Sequence, residues 1–430
     1  PAWACTLALL LTLACAAEDR GKPAVVGSAT PAPPPGPEYE ARAGRALTFL
    51  RESRVADALN EANKALRVAP LSAEPYRLFS TIYSESDQDP AGIEFFREQI
   101  ERRPGLEHPW YAKGVHEFRL SLWDQARASF GRVIEIDPGH ADGRYFLARI
   151  LLTVDGDFEA ALEHLRIAHE FDPRSERTAL ELEFVLRIEG RYEEAGRVAA
   201  AALEMLPNSA ELHQRLALLR IREGDDGEAE ELLRAALERK PGLPTAHRDL
   251  GRLLLRNGRE NEGRESLARA RRWDDYYRLK PRLAKRMRQS PRDPRIPLLL
   301  AELELAHVQL EDALAMYRHC EALGGPADRI AAGRAWVHLY LRQIERADVE
   351  LAKIVEWDDP RADAVRAGRL IRSEELPQAL RLLDRAAGRA PAERTLLHWI
   401  SDLYGFAGNP AKSAELLLRA GTAPAVEEVI

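Results

Sequence analysis

Two His-Glu pairs, His116-Glu117 and His169-Glu170, are the residues in this chain that come nearest to a metal-hydrolase motif. Such a site needs a second histidine four residues after the first, so that both imidazoles share one helical face. Leu120 and Pro173 stand there instead. The 11 histidines are scattered, and each reads as a helix-surface or inter-helix residue rather than a ligand. The 3 cysteines, Cys5, Cys15 and Cys320, form no Cys-x-x-Cys pair, which excludes c-type haem attachment and a Cys-rich zinc module. They are too few for a disulfide scaffold or an iron–sulfur cluster. No glycine-rich phosphate loop follows a strand pattern. The expectation is a chain with no catalytic residue, no metal and no cofactor, and therefore not an enzyme. What remains is recognition, for which arginine and aromatic side chains are the suitable types.

Composition says what must position such residues. The chain has 430 residues, 45% hydrophobic and 30% charged, too apolar for general disorder. At about 100–200 residues per domain it would make two to four ordinary domains or one long repeat array. Its formal net charge of -7 gives no overall drive toward nucleic acid, so any basic patch is local. Ala, Leu, Arg and Glu dominate, which favours helix over sheet.

The array is visible in the prolines. Pro70, Pro104, Pro138, Pro173, Pro207 and Pro241 recur at a spacing of 34 residues, once 35. Twelve residues before each stands Ala58, Gly92, Ala126, Ala161, Ala195 or Ala229. Eight before come Ala62, Phe96, Phe130, Leu165, Ala199 and Leu233; five before, Ala65, Val133, Ala168, Ala202 and Ala236, with Gln99 as the exception. Small residues let two helices approach closely, and a proline closes the second helix because it cannot continue one. Glycines such as Gly190, Gly224 and Gly258 fit a left-handed cap where the first helix turns into the second.

This pattern resembles the tetratricopeptide repeat, a helix-turn-helix unit, most fully in the third unit, with Trp110, Gly114, Ala126, Phe130 and Pro138 at family positions. The resemblance implies an all-α fold, a right-handed α-α superhelical solenoid of about eleven hairpins. Seven units in register span 39–275, a basic connector spans 276–293, and four degenerate units span 294–425, where Ala313, Tyr317, Cys320, Trp336, Val355, Ala379, Leu383, Ala386, Trp399, Tyr404, Gly408 and Ala420 keep the phase. One hairpin cannot bury its apolar stripe alone, so neighbours must stack.

Family resemblance further implies a concave groove lined by positions 5, 9 and 12 of each unit. These give Arg77, Tyr111, Phe118, Tyr145, Arg149, Phe184, Arg248 and Arg252, with no carboxylate among them. The expected partner is a protein segment with apolar and acidic side chains; the alternative is that Tyr111, Phe118 and Phe184 simply pack between helices. The carboxylate clamp of chaperone-binding relatives is absent. A second candidate is the basic stretch from Arg264 to Arg295, with Arg271, Arg272, Lys280, Arg282, Lys285 and Arg286 interleaved with Trp273, Tyr276 and Tyr277. It reads either as a solvated connector or as a patch for anionic lipid headgroups, acidic glycan or an acidic protein; nucleic acid is not expected. Cys320 reads as a buried core thiol. Leu416-Leu417-Leu418 near the end suggests that the last helix docks on something or that the chain continues.

Residues 1–17 carry no charge and resemble a partial export signal. Leu11-Thr12-Leu13-Ala14-Cys15 resembles a bacterial lipobox with Cys15 as the lipidated residue; cleavage near Ala16 for soluble export and a truncated membrane anchor are the other readings. Ala16 after the lipid site fits outer-membrane sorting. Residues 18–38, with 6 prolines between Pro23 and Pro37, read as an extended tether. The expectation is a scaffold in the bacterial envelope, at the periplasmic face of the outer membrane or soluble in the periplasm. Its rival is an accessory subunit of a glycan-synthesis or export enzyme that binds polysaccharide.

Overall fold

The structure is a computed structural model that describes residues 36–354, 359–390 and 394–422. The export segment with Cys15, the tether up to residue 35, and Val355 lie outside the described residues. Among these, all regular structure is helical, and no helix is long and apolar enough to cross a membrane. The chain divides into two compact units, residues 1–190 and 191–430.

In the first unit the hairpins are α1 (Pro37–Arg51) with α2 (Val55–Val68), α3 (Ala73–Glu85) with α4 (Asp89–Arg102), α5 (Glu107–Arg119) with α6 (Trp123–Ile136), and α7 (Ala141–Ile150) with α8 (Phe158–Phe171), followed by α9 (Glu176–Ile188). Pro70, Pro104, Pro138 and Pro173 each stand two residues beyond the end of a second helix, as the period requires. Ala58, Ala126 and Ala161, and Ala62, Phe130 and Leu165 four residues on, are fully buried, as is Phe96 in the second hairpin. Each Phe or Leu in that position contributes about 1.5–3 kcal/mol. Gly114 is where α5 crosses Phe130: a Cβ there would lie 2.8 Å from the ring. The extra residue of the fourth unit is absorbed by a π-helical turn, Leu151–Asp155, closed by Gly156 at φ +67°. Gly156 and Gly190 share the left-handed turn with Ser53, Asp87 and Ser121, so the family glycine is not obligatory there.

The second unit opens with α10 (Tyr192–Met205), α11 (Ala210–Glu223), α12 (Asp226–Arg239) and α13 (Pro244–Arg256). Then comes α14, one continuous helix of 30 residues, Glu260–Gln289. The expected boundary at 275 therefore falls inside a helix. The reason is packing: Tyr276, Leu279 and Leu283 continue an apolar stripe that buries against Leu300 and Leu303. The remaining helices are α15 (Arg295–Ala306), α16 (Leu310–Ala322), α17 (Ala327–Tyr340), α18 (Ile344–Leu351), α19 (Pro360–Arg372), α20 (Leu376–Arg389), α21 (Arg394–Phe406) and α22 (Pro410–Thr422). These hairpins do not stay open. The first helices α15, α17, α19 and α21 meet in sequence, α21 returns to α15, and α22 packs on α14. Trp336 of α17 and Trp399 of α21 stack with centroids 6.1 Å apart and planes 8° from parallel. One apolar cluster runs from Leu298 through Trp336 and Val365 to Trp399 and Leu416. The hollow expected inside the degenerate repeats is thus filled by core, and Leu416 and Leu417 are buried on the unit itself, whereas Leu418 is exposed.

Candidate functional site

One open surface that could receive a ligand lies in the first unit. A pocket of about 590 Å³ opens between α3, α5 and the start of α7. Helical spacing places Arg77, Ser80 and Thr81 on one wall and Tyr111 and Val115 on the facing one, while the turn into α7 adds His140 and Asp142. His140 caps its own helix, Nδ1 accepting from the Gly143 amide at 3.0 Å, and packs on Tyr111 at 5.0 Å. Burial pushes the imidazoles of His108 and His140 down, so both are neutral near pH 7. Burial, with the Asp142 charge beside it, pushes the Tyr111 hydroxyl up to about 12. That hydroxyl faces Asp142 Oδ2 at 3.4 Å.

Of the residues expected in the groove, Arg77 and Tyr111 are brought together here. Arg77 is exposed. The others go elsewhere. Phe118 joins a cluster with Trp123 and Phe146, at 5.1 and 5.2 Å, and packs between helices. Tyr145 is buried; Arg177 covers its ring at 4.7 Å and Arg149 donates to its hydroxyl at 3.0 Å. Arg149 also approaches Glu181 at 3.8 Å, and Arg177 donates to Asp142. Phe184 is half-buried beneath Arg187, 5.4 Å from its guanidinium. In the second unit Arg248 pairs with Asp274 at 2.8 Å, whereas Arg252 is exposed. Carboxylates from neighbouring positions therefore already occupy several of the arginines, and Asp137, Asp142 and Asp172 add negative charge to the pocket rim. Of the arginines expected in the groove, Arg77 in the pocket and Arg252 in the second unit remain exposed.

The basic stretch divides in the same way. Arg272 is not a surface cation. Its side chain is 11% exposed and makes a bidentate bond to Asp402, both contacts 3.0 Å. Lys280 is held by Glu304 at 2.9 Å and Asp312 at 3.5 Å. Arg271, Arg282, Lys285 and Arg286 are exposed, and residues 281–289 of α14 contain no carboxylate. Cys320 is fully buried, its Sγ 3.2 Å from the Pro294 carbonyl.

Sequence reasoning missed one constellation at the pocket. His116 is fully buried, with Nε2 3.1 Å from Ser80 Oγ and Nδ1 2.6 Å from Asp89 Oδ1. A signal was available: His116 stands in the phase that carries Ile82 and Ile150 in the flanking units, both fully buried. A polar side chain in an apolar slot requires polar partners. Among the described residues no group of three or more His, Cys, Asp or Glu is placed to hold a metal ion.

Residues 111–176 match one tetratricopeptide repeat model, and residues 186–242 and 220–278 match another. No curated protein matches the chain. Among solved structures, a tetratricopeptide repeat protein from Parabacteroides merdae is 15% identical, covering 55% of this chain and 93% of its own, with a TM-score of 0.38. YrrB, described as a TPR protein with an unusual peptide-binding site, is 20% identical over 43% of this chain and 95% of its own, TM-score 0.34. PilF of Pseudomonas aeruginosa is 16% identical over 61% and 96%, TM-score 0.33. None reaches a TM-score of 0.5, so the assignment rests on the repeat motifs and the hairpins they build. The chain is a tetratricopeptide repeat protein, an all-α stack of helical hairpins. As such it belongs to the class of repeat scaffolds that mediate protein–protein interaction.

Proposed function

We propose that the protein holds an extended segment of a partner protein in the pocket between α3, α5 and α7. The observation that carries this reading is the pocket itself: about 590 Å³, with exposed Arg77 on one wall and Tyr111 on the other. An apolar or aromatic side chain of the segment fits against Tyr111 and Val115, an acidic one against Arg77, and a basic one toward Asp137 and Asp172. This narrows the expected partner, because acidic residues have one docking point here rather than a row of them. Peptide arrays probed with the protein test the reading. Arg77→Glu with Tyr111→Ala should abolish capture while the helical circular dichroism stays intact; unchanged capture removes the pocket from the account. Retention of polysaccharide in place of peptides would favour the glycan-accessory reading.

We further propose that the chain works in the bacterial envelope, lipidated at Cys15, with the exposed Arg282, Lys285 and Arg286 facing anionic headgroups. Support comes from the lipobox-like residues and from the run of exposed basic side chains at the end of α14, where residues 281–289 contain no carboxylate. Metabolic labelling with a fatty-acid analogue tests it: label should enter the wild-type chain and be lost in Cys15→Ala.

A further inference from the structure

We propose that Ser80 is an activated nucleophile, and that the pocket carries out acyl transfer on a carboxylic ester through Ser80, His116 and Asp89. The three groups come from three consecutive helices: Ser80 from the middle of α3, Asp89 from the first residue of α4, and His116 from α5. Their order runs inward from the pocket. Ser80 lines the pocket, His116 behind it has no exposed surface, and Asp89 lies beyond. The hydrogen bonds fix the protonation pattern. A carboxylate only accepts, so the contact of 2.6 Å to Asp89 Oδ1 makes His116 Nδ1 the donor. Nε2 is then the bare nitrogen and accepts from the Ser80 hydroxyl at 3.1 Å. Arg119 Nε donates to the same Asp89 oxygen at 2.8 Å. Burial works against the Asp89 charge, but the bonds from Arg119 and His116 hold its carboxyl below the usual range. The ring cannot swing away, because it stacks on Phe96 at 5.5 Å and meets Tyr83 edge-on at 6.4 Å. Nucleophile, base and orienting carboxylate are recognised by such geometry and roles, not by fold or chain order.

The step balances. Ser80 Oγ attacks the ester carbonyl carbon while its proton passes to His116 Nε2. The carbon–oxygen bond to the alcohol breaks, and His116 returns the proton to the departing alkoxide. Water then adds to the acyl–Ser80 carbonyl, gives a proton to Nε2, and releases the acid as Ser80 regains its proton. Backbone amides of Ser80 and Thr81 are engaged within α3, so the donors for the developing oxyanion are side chains on the same wall, the Arg77 guanidinium and the Thr81 hydroxyl. The apolar floor at Ala112 and Val115 suits a short or aromatic acyl group. Asp89 acts through His116 and is a positioning residue.

The test uses the full chain and an alkyl fluorophosphonate, which forms a phosphorus–oxygen bond to an activated serine and releases fluoride. Peptide mass spectrometry should find one adduct, on Ser80. Ser80→Ala should remove both the adduct and the hydrolysis of p-nitrophenyl butyrate, and His116→Gln should slow both by about 10²- to 10⁴-fold. The charged groups facing His116 are Asp89, which favours its protonation, and Arg119, which opposes it. In Asp89→Asn the rising limb of the labelling rate should move to lower pH as the rate falls, which a merely structural Asp89 would not cause. No adduct on Ser80 in wild-type protein with native helicity overturns the proposal, as does ester hydrolysis unchanged by Ser80→Ala. Neither result bears on peptide capture, which is read separately on the arrays.

Discussion

The guanidinium of Arg272 and the carboxylate of Asp402, 130 positions apart, form a bidentate pair that joins α14 to α21. The pair is largely withdrawn from water, so removing one partner strands the other charge. Arg272→Met or Asp402→Leu alone should destabilise the second unit by about 3–5 kcal/mol, and the double variant should recover most of that loss. Urea denaturation of the four proteins of the cycle measures it; additive losses would show that the pair does not act as one.

The hairpin of α5 and α6 offers a contrast between two glycines. A Cβ on Gly114 would press on Phe130, which is fully buried and cannot yield, so Gly114→Ala should cost about 1–3 kcal/mol. Gly131 lies inside α6 with nothing within 4 Å of its Cβ position. Gly131→Ala should therefore stabilise by about 0.5–1 kcal/mol. Thermal or urea midpoints with opposite shifts would bear this out.

Val308 turns α15 into α16 at φ +60°, a conformation a β-branched residue adopts only under strain, and its side chain is 46% exposed. Little packing is lost on truncation. Val308→Gly should raise stability by about 1–2 kcal/mol. A lower urea midpoint for the variant would contradict this.

Two buried histidines set the acid response of the second unit. Burial pushes His247 down to about 4; its Nε2 donates to the Pro241 carbonyl at 2.9 Å. Burial, with the Arg272 charge nearby, likewise pushes His307 down to about 4. The unfolded chain takes these protons near the ordinary value of 6.5, the folded one only near 4. Stability is thus intact above that ordinary value and falls as the pH drops toward the folded one, by up to about 3 kcal/mol per histidine. Urea midpoints across this range should fall, and the fall should be shallower in a variant with both histidines replaced by glutamine.

How much of this was legible beforehand follows from the range of each interaction. The prolines marked helix ends because a proline acts on its own backbone, and Ala126 or Phe130 marked buried faces because the repeat carries the same demand six times. Arg77 and Tyr111 were placed in one groove by position alone. Phe118 takes its alternative place between helices, and Tyr145 is buried as well, because an aromatic side chain at a groove position turns inward when other rings, here Phe146 and Trp123, are within reach. Arg272 looked solvated among other cations, since a local pattern carries no trace of a carboxylate on another hairpin. Spacing along one helix does not reveal the partners of His116, because Ser80 and Asp89 lie on two others.

The return of α21 and α22 to α14 has a consequence for how this chain could change over generations. A stack of like hairpins tolerates duplication, since each new copy needs only its two neighbours. Between Arg295 and Phe406 that freedom is gone. One hairpin more or fewer would carry Asp402 out of reach of Arg272 and part the two stacked indoles. The copy number there is fixed by closure, while the open run from Pro37 to Ile188 can still be lengthened or shortened a whole hairpin at a time.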